Sequence, residues 1–260
     1  MLTENVWVES EALVDLSRMR ELAPLTHCIT NIVAANFTAN VLLAVGASPA
    51  MVIAAQEVAE FAAIASGLLI NVGTVTKKEA KAMLLAVAAA RKSGTPWVLD
   101  PVAVGAVQFR TDIAKKLLDH QPSIVRGNAS EIIALSGSSG GGKGVDSADD
   151  SATALPFARE LAKRIGAVVA ISGVVDYITD GNDVISVAGG NAIMTKVTGV
   201  GCALGALMAA FAAGCEPLRA AASASAIFAL AGERAARTAP GPGSFSVAFL
   251  DELSHIGLDA

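Results

Sequence analysis

A few short segments of this sequence hold groups able to bind an anion, hold a hard cation or accept a proton. Asp100 and Glu131 supply carboxylate oxygens, the ligand type that Mg2+ prefers, directly or through its waters. Arg126 stands between them in the chain and offers a planar fork of donors that fits phosphate. Gly199 and Gly201 bracket Val200 in the stretch TGVGC (198–202), which opens a long apolar segment. As a helix, that segment aims its first backbone N–H groups and its dipole at incoming negative charge. Cys202 falls in the first turn, where a thiol pKa tends to drop, and is a candidate acceptor for the proton of a substrate hydroxyl. Its competing role is that of a small buried hydrophobe. These residue types fit phosphoryl transfer, whose catalysis consists mainly of positioned donors and cations.

Each group follows an apolar run: LLI precedes Asn71-Val72-Gly73-Thr74, WVL precedes Asp100, SIV precedes Arg126 and VVAI precedes Ser172-Gly173. Singly, each has an ordinary explanation, since Asn and Thr cap helices, Asp-Pro starts turns and glycine ends strands. Their number carries the weight, because open α/β sheets bind ligands outside the carboxyl ends of their strands. The expected strands are Leu25–Ile29, 50–53, 68–72, 96–99, 123–125 and 167–172, with helices at 34–45, 58–66, 77–92, 112–119 and 152–164. This alternation predicts an α/β fold with a mostly parallel sheet flanked by helices. Segments 174–179 and 184–187 around Asp180-Gly181-Asn182-Asp183 predict a hairpin, and ALGALMAAFAA predicts a central buried helix. The glycine-rich segment 136–144 reads as a solvent loop; no Ser or Thr follows Lys143, so it is not a P-loop. No linker or repeat divides the chain, and residues 1–260 are expected to form a single domain.

Of 260 residues, 53% are hydrophobic and only 17% charged, which raises the question of a membrane. The uncharged stretch 22–56 is broken by Pro24, Asn31, Asn36, Asn40 and Pro49. The stretch 197–215 opens with Thr198, Gly199 and Gly201, so its continuous apolar run begins only at Ala203. The N-terminus carries acids where a signal peptide needs bases. The expectation is a soluble, cytoplasmic protein whose low charge reflects a large interior or buried subunit surface. A net charge of −5, with no Lys/Arg cluster longer than a pair, argues against a nucleic-acid footprint. Three widely spaced cysteines without a CxxC, and three histidines without an HxxxH, argue against a disulfide framework or structural metal. Cys28 and Cys215 are expected to be packing residues.

In chain order, HCITNIV (27–33), NVGTV (71–75), LDPVAVGA (99–106), VRGNASEI (125–132), ISGVVDYI (171–178) and TGVGC (198–202) resemble the hydroxyethylthiazole kinases of thiamine salvage. The resemblance implies a three-layer ribokinase-like fold, ATP with Mg2+, and phosphorylation of the primary alcohol of 4-methyl-5-(2-hydroxyethyl)thiazole. It also implies a homotrimer with active sites between subunits. By position, Arg126 and Ser172 would contact ATP, and Asp100 and Glu131 would serve the Mg2+–phosphate region. Met51 and the backbone of Gly199 would contact the thiazole, with Asn31 facing the same pocket. Gly199, Val200, Gly201 and Cys202 would form the anion hole. Cys202 takes the place where other ribokinase-like kinases carry a catalytic Asp. The sequence departs from the family pattern at Val200, where Thr is frequent, at Ala103, where glycine is frequent, and at Gln56-Glu57, where an acidic pair is frequent. His27 and His255 are expected to be structural. The alternatives are a hydroxymethylpyrimidine-type kinase, a nucleotide-hydrate dehydratase of the same fold, or a non-catalytic nucleotide- or thiazole-binding regulator.

Overall fold

The computed structural model describes residues 4–137 and 151–258. Its strands are β1 (Glu4–Val6), β2 (Leu25–Ile29), β3 (Ser48–Ala50), β4 (Gly67–Asn71), β5 (Trp97–Asp100), β6 (Ile124–Asn128), β7 (Val168–Ser172), β8 (Val175–Thr179) and β9 (Val184–Ala188). Among the described residues they form one sheet in the order β1-β9-β8-β7-β6-β5-β4-β2-β3. From β3 through β7 every pairing is parallel, whereas β7, β8 and β9 pair antiparallel. The hairpin turn between β8 and β9 is closed by Asp180, whose Oδ1 accepts the N–H groups of Asn182 and Asp183 at 2.8 and 2.9 Å. β4 and β5 are buried at every position, as strands covered on both faces must be.

Helices cover the two faces. On one side lie α1 (Glu9–Leu22), α2 (Ala35–Val45), α8 (Val200–Ala212), α9 (Pro217–Thr238) and α10 (Pro242–His255), whose buried residues form one apolar cluster with the sheet. On the other lie α3 (Val58–Ile64), α4 (Lys77–Ser93), α5 (Gln108–Leu118), α6 (Ala129–Ser136) and α7 (Ser151–Ile165), with a second cluster. A short 3-10 turn, Ala192–Lys196, leads into α8. α8 is the central buried helix that its composition predicts: Ala203 through Phe211 are all buried. Its small side chains let it lie close to β4 and β5. A Cβ on Gly67 would overlap the carbonyl of Ala209, and one on Gly205 would come within 3.1 Å of Leu69 and 3.7 Å of Asp100. Among the described residues no helix is long and apolar enough to cross a membrane.

Several elements differ from expectation. The strand expected at 50–53 is β3, Ser48–Ala50, where Pro49 is tolerated because this is the sheet edge. Met51 to Ile53 leave the ladder, and the Val52 carbonyl instead accepts a 2.8 Å hydrogen bond from His27 Nε2. His27 is fully buried, and burial lowers its pKa, so it packs as a neutral structural residue against Phe61. α5 begins at Gln108 rather than 112. β1 and α1 were not legible in the sequence. α1 buries Ala12, Leu16 and Met19 at helical spacing, but the charged Asp15 interrupts the stripe. Asp15 is tolerated there because Arg219 Nε donates to it at 2.8 Å and Ser223 Oγ at 2.6 Å. Of the expected glycine-rich loop, residues 138–144 lie outside the described residues.

Candidate active site

The sheet order converts residues scattered through the chain into a row. Ser172 ends β7, Arg126 lies near the end of β6, Asp100 ends β5, Asn71 ends β4 and Asn31 follows β2. These strands are consecutive neighbours, with Asn71 in register with Asp100 and Asn128 with Ser172. The first turn of α8 stands beside the row. Its N-cap, Gly199, has φ 91°, and a Cβ there would lie 3.3 Å from Ala34, so glycine suits both the turn and the close approach. A Cβ on Gly201 would lie 3.4 Å from a guanidinium nitrogen of Arg126. The donor fork and the helix N-terminus therefore face one another.

A hydrogen-bonded chain runs along the row. Asn31 Nδ2 donates to Cys202 Sγ at 3.2 Å and to Asn71 Oδ1 at 3.0 Å. Asn71 Nδ2 donates to Asp100 Oδ2 at 2.7 Å. Arg126 lies 3.9 Å from the same Asp100 oxygen, and its Nε donates to Ser172 Oγ at 3.0 Å. The remaining oxygen, Asp100 Oδ1, is buried with no hydrogen-bond partner among the described residues. Burial pushes the Asp100 carboxyl up to about 7; nearby Glu131 adds to the rise, while Arg126 and Asn71 oppose it. An orphaned buried acceptor is costly, and a hard cation with oxygen ligands would satisfy it.

Glu131 is held differently. Its Oε1 accepts the N–H of Ala103 at 2.8 Å, and its Oε2 accepts that of Asn128 at 2.9 Å. Asn128 in turn caps α6 through the Glu131 N–H at 2.9 Å, a reciprocal capping box. Both carboxylate oxygens thus already accept one backbone donor each. Among the described residues no three His, Cys, Asp or Glu side chains cluster as a metal site, so this row offers a cation two carboxylates and leaves the remaining positions to phosphate and water.

The expected lowering of the Cys202 pKa is overturned. Burial and the neighbouring Asp100 raise it, and the donors Asn31 and Asn71 and the charge of Arg126 only partly offset them. The helix N-terminus is outweighed because the sulfur is largely desolvated beside a carboxyl group. Cys28 is fully buried with its thiol pushed up to about 12, consistent with packing, and Cys215 is half-buried.

Arg126 and Ser172 line a cleft of about 660 Å3, together with Val200 and Gly201. Its walls continue into β8, β9, the 190–195 turn and α9, including Asp176, Val187, Asn191, Ser225 and Phe228. Sequence inspection missed these residues because none directly follows a parallel strand. Asn71 was visible as a strand-terminal polar residue, but its place as the link between Asn31 and Asp100 depends on strand order. Met51 follows edge strand β3 at the opposite end of the row, partly buried against the core. It does not line the cleft that holds Arg126.

A profile of the hydroxyethylthiazole kinase family matches residues 16–259. A hydroxyethylthiazole kinase of Leptospira borgpetersenii serovar Hardjo-bovis is 59% identical over 257 residues, covering 98% of this chain and 97% of that protein. A solved structure of hydroxyethylthiazole kinase from Pyrococcus horikoshii superposes with TM-score 0.88 at 39% identity, covering 95% of this chain and 94% of that one. A ribokinase-like superfamily protein from Enterococcus faecalis shares the fold, with TM-score 0.67 at 14% identity over 96% of this chain and 98% of that one. With a profile match over most of its length and relatives of this identity and coverage, the chain belongs to the hydroxyethylthiazole kinase family.

Proposed function

We propose that this chain, acting as a single catalytic domain, transfers the terminal phosphoryl group of ATP to the primary alcohol of 4-methyl-5-(2-hydroxyethyl)thiazole in thiamine salvage. The observation that carries this reading is the row Ser172–Arg126–Asp100–Asn71–Asn31, which ends against Cys202 at the N-terminus of α8. Arg126 and Ser172 hold the triphosphate from the cleft side. The N–H groups of the 199–202 turn receive the charge that builds on the transferred group. Asn31, Met51 and the Gly199 backbone bind the thiazole at the other end of the row.

Asp100 would hold Mg2+ through its unpartnered Oδ1, and Glu131, whose oxygens already accept backbone donors, would act through the ion's waters. Such an ion, when bound, neutralises phosphate charge. Cys202 accepts the alcohol's proton. Because burial keeps the thiol protonated at rest, Cys202 would first release its own proton to solvent. It would then take the alcohol's proton as the thiolate, a transfer that a loose phosphoryl transition state leaves until late.

Ile32 and Val33, directly after Asn31, are 74% and 61% exposed. Apolar exposure beside the row supports the homotrimer with sites between subunits. Light scattering checks it, and a monomer at working concentration would refute it. The activity is tested by ADP release from Mg·ATP with a panel of alcohols. Turnover of the hydroxyethylthiazole is expected; turnover confined to pyrimidine alcohols, or nucleotide binding without turnover, would overturn the assignment.

A further inference from the structure

Beside Arg126 the cleft carries a carboxylate for which phosphate binding has no use. The antiparallel register Ile171↔Tyr177 brings Asp176 of β8 next to Ser172 of β7, and both line the cleft. Asp176 Oδ1 accepts the N–H of Gly173 at 3.0 Å, which closes the β7–β8 turn. Ser225, on α9 across the cleft wall, is 2% exposed. Burial raises the Asp176 pKa, and the Gly173 N–H, Arg126 and the nearby Ser225 hydroxyl only partly oppose the rise. That hydroxyl forms no hydrogen bond of acceptable geometry with any described residue. Asp176 also belongs to no group of three metal-ligating side chains among the described residues.

A carboxylate repels phosphate oxygens, so facing a nucleotide it can profit only from neutral donors. A nucleoside presents such donors as ribose hydroxyls and, on adenine, an exocyclic amino group. Val187, Val197, Leu204 and Phe228 surround this part of the cleft and suit the apolar faces of a base and sugar. We infer that Asp176, assisted by Ser225, hydrogen-bonds a neutral donor of the nucleoside and so selects the nucleotide, whereas Arg126 holds its phosphates. This rests on the kinase reading above.

The test is calorimetric titration of the full-length protein and D176N, in Mg2+, with ATP, 2′-deoxy-ATP, 3′-deoxy-ATP, ITP and inorganic tripolyphosphate. Asn retains an oxygen for the Gly173 N–H, so the turn survives. D176N should bind ATP about tenfold more weakly or worse, the size of a hydrogen bond to a charged group. Tripolyphosphate affinity should be unchanged, and the one analogue that both proteins bind alike identifies the donor. S225A should show the same pattern with a smaller loss, and it supplies the answer if D176N does not fold. Equal loss for ATP and tripolyphosphate would overturn the inference, because Asp176 would then act through Arg126. Unchanged ATP affinity in both variants would also overturn it. Failure of the unmodified protein to bind ATP would instead refute the kinase reading.

Discussion

The Asn31 side-chain amide donates a 3.2 Å hydrogen bond to the sulfur of Cys202, joining the end of β2 to the first turn of α8. The donor favours the thiolate, while burial and Asp100 favour the thiol, and the thiol wins. The sulfur is therefore an oriented, protonated group in the ligand-free protein.

If this position accepts the substrate proton, Cys202→Asp should retain or raise kcat, because a carboxylate is the better acceptor. Cys202→Ala should lower kcat by about 10²–10⁴-fold, the usual range for a lost general base. Steady-state kinetics with circular dichroism checks both; a folded Cys202→Asp with no activity would remove the role. Alkylation of Cys202 should also be slower than that of a free thiol at pH 8, read by mass spectrometry.

Asp100 predicts a pH dependence of stability. Its folded pKa, about 7, lies above the ordinary 3.8, so its contribution is fully present below pH 3.8 and is lost as pH rises through about 7. Asp100→Asn is neutral throughout and keeps an acceptor for Asn71. In metal-free buffer it should melt several degrees above the unmodified protein at pH 8 and close to it at pH 4, while losing activity. Equal melting shifts at both pH values would contradict the buried-charge account.

Arg126 meets Ser172 through Nε and turns the rest of its fork toward Gly201. Arg126→Ala should raise the KM for ATP about 10- to 100-fold, as expected for a lost charge-assisted phosphate contact. Arg126→Lys should recover little, because a lysine cannot serve Ser172 and phosphate together in a fixed plane. An unchanged KM in initial-rate assays would exclude the contact.

Ala103 occupies φ 61° in the loop that delivers its N–H to Glu131. A non-glycine residue there costs about 1–2 kcal/mol, and glycine's extra freedom in the unfolded chain returns part of it. Ala103→Gly should therefore stabilise by about 0.5–1 kcal/mol in urea unfolding. Gly105→Ala in the same loop should destabilise, since φ is 90° and the new Cβ would lie 2.6 Å from that of Ala134. The opposite order would refute the strain at Ala103.

Much of this architecture was legible because its signals are local. Strand runs such as WVL (97–99) are apolar throughout, the turn Asp180–Asp183 carries its own capping side chain, and TGVGC sits at a helix start. Asp100, Arg126 and Ser172 were visible because parallel strands deliver the residues at their ends to one edge. α1 was hidden by Asp15, whose partners Arg219 and Ser223 come from α9, far along the chain.

By itself the sequence determined the α/β alternation, the residue types at the strand ends and the family, since these follow from periodicity and motif. Only the tertiary structure decided which groups touch. The strand order β7-β6-β5-β4-β2 makes Asn71 the bridge from Asn31 to Asp100, and α8 presses close enough to desolvate both Asp100 and Cys202. Proton affinity depends on burial and on neighbours within a few ångströms, and those distances exist only once the sheet has formed and α8 has packed against it.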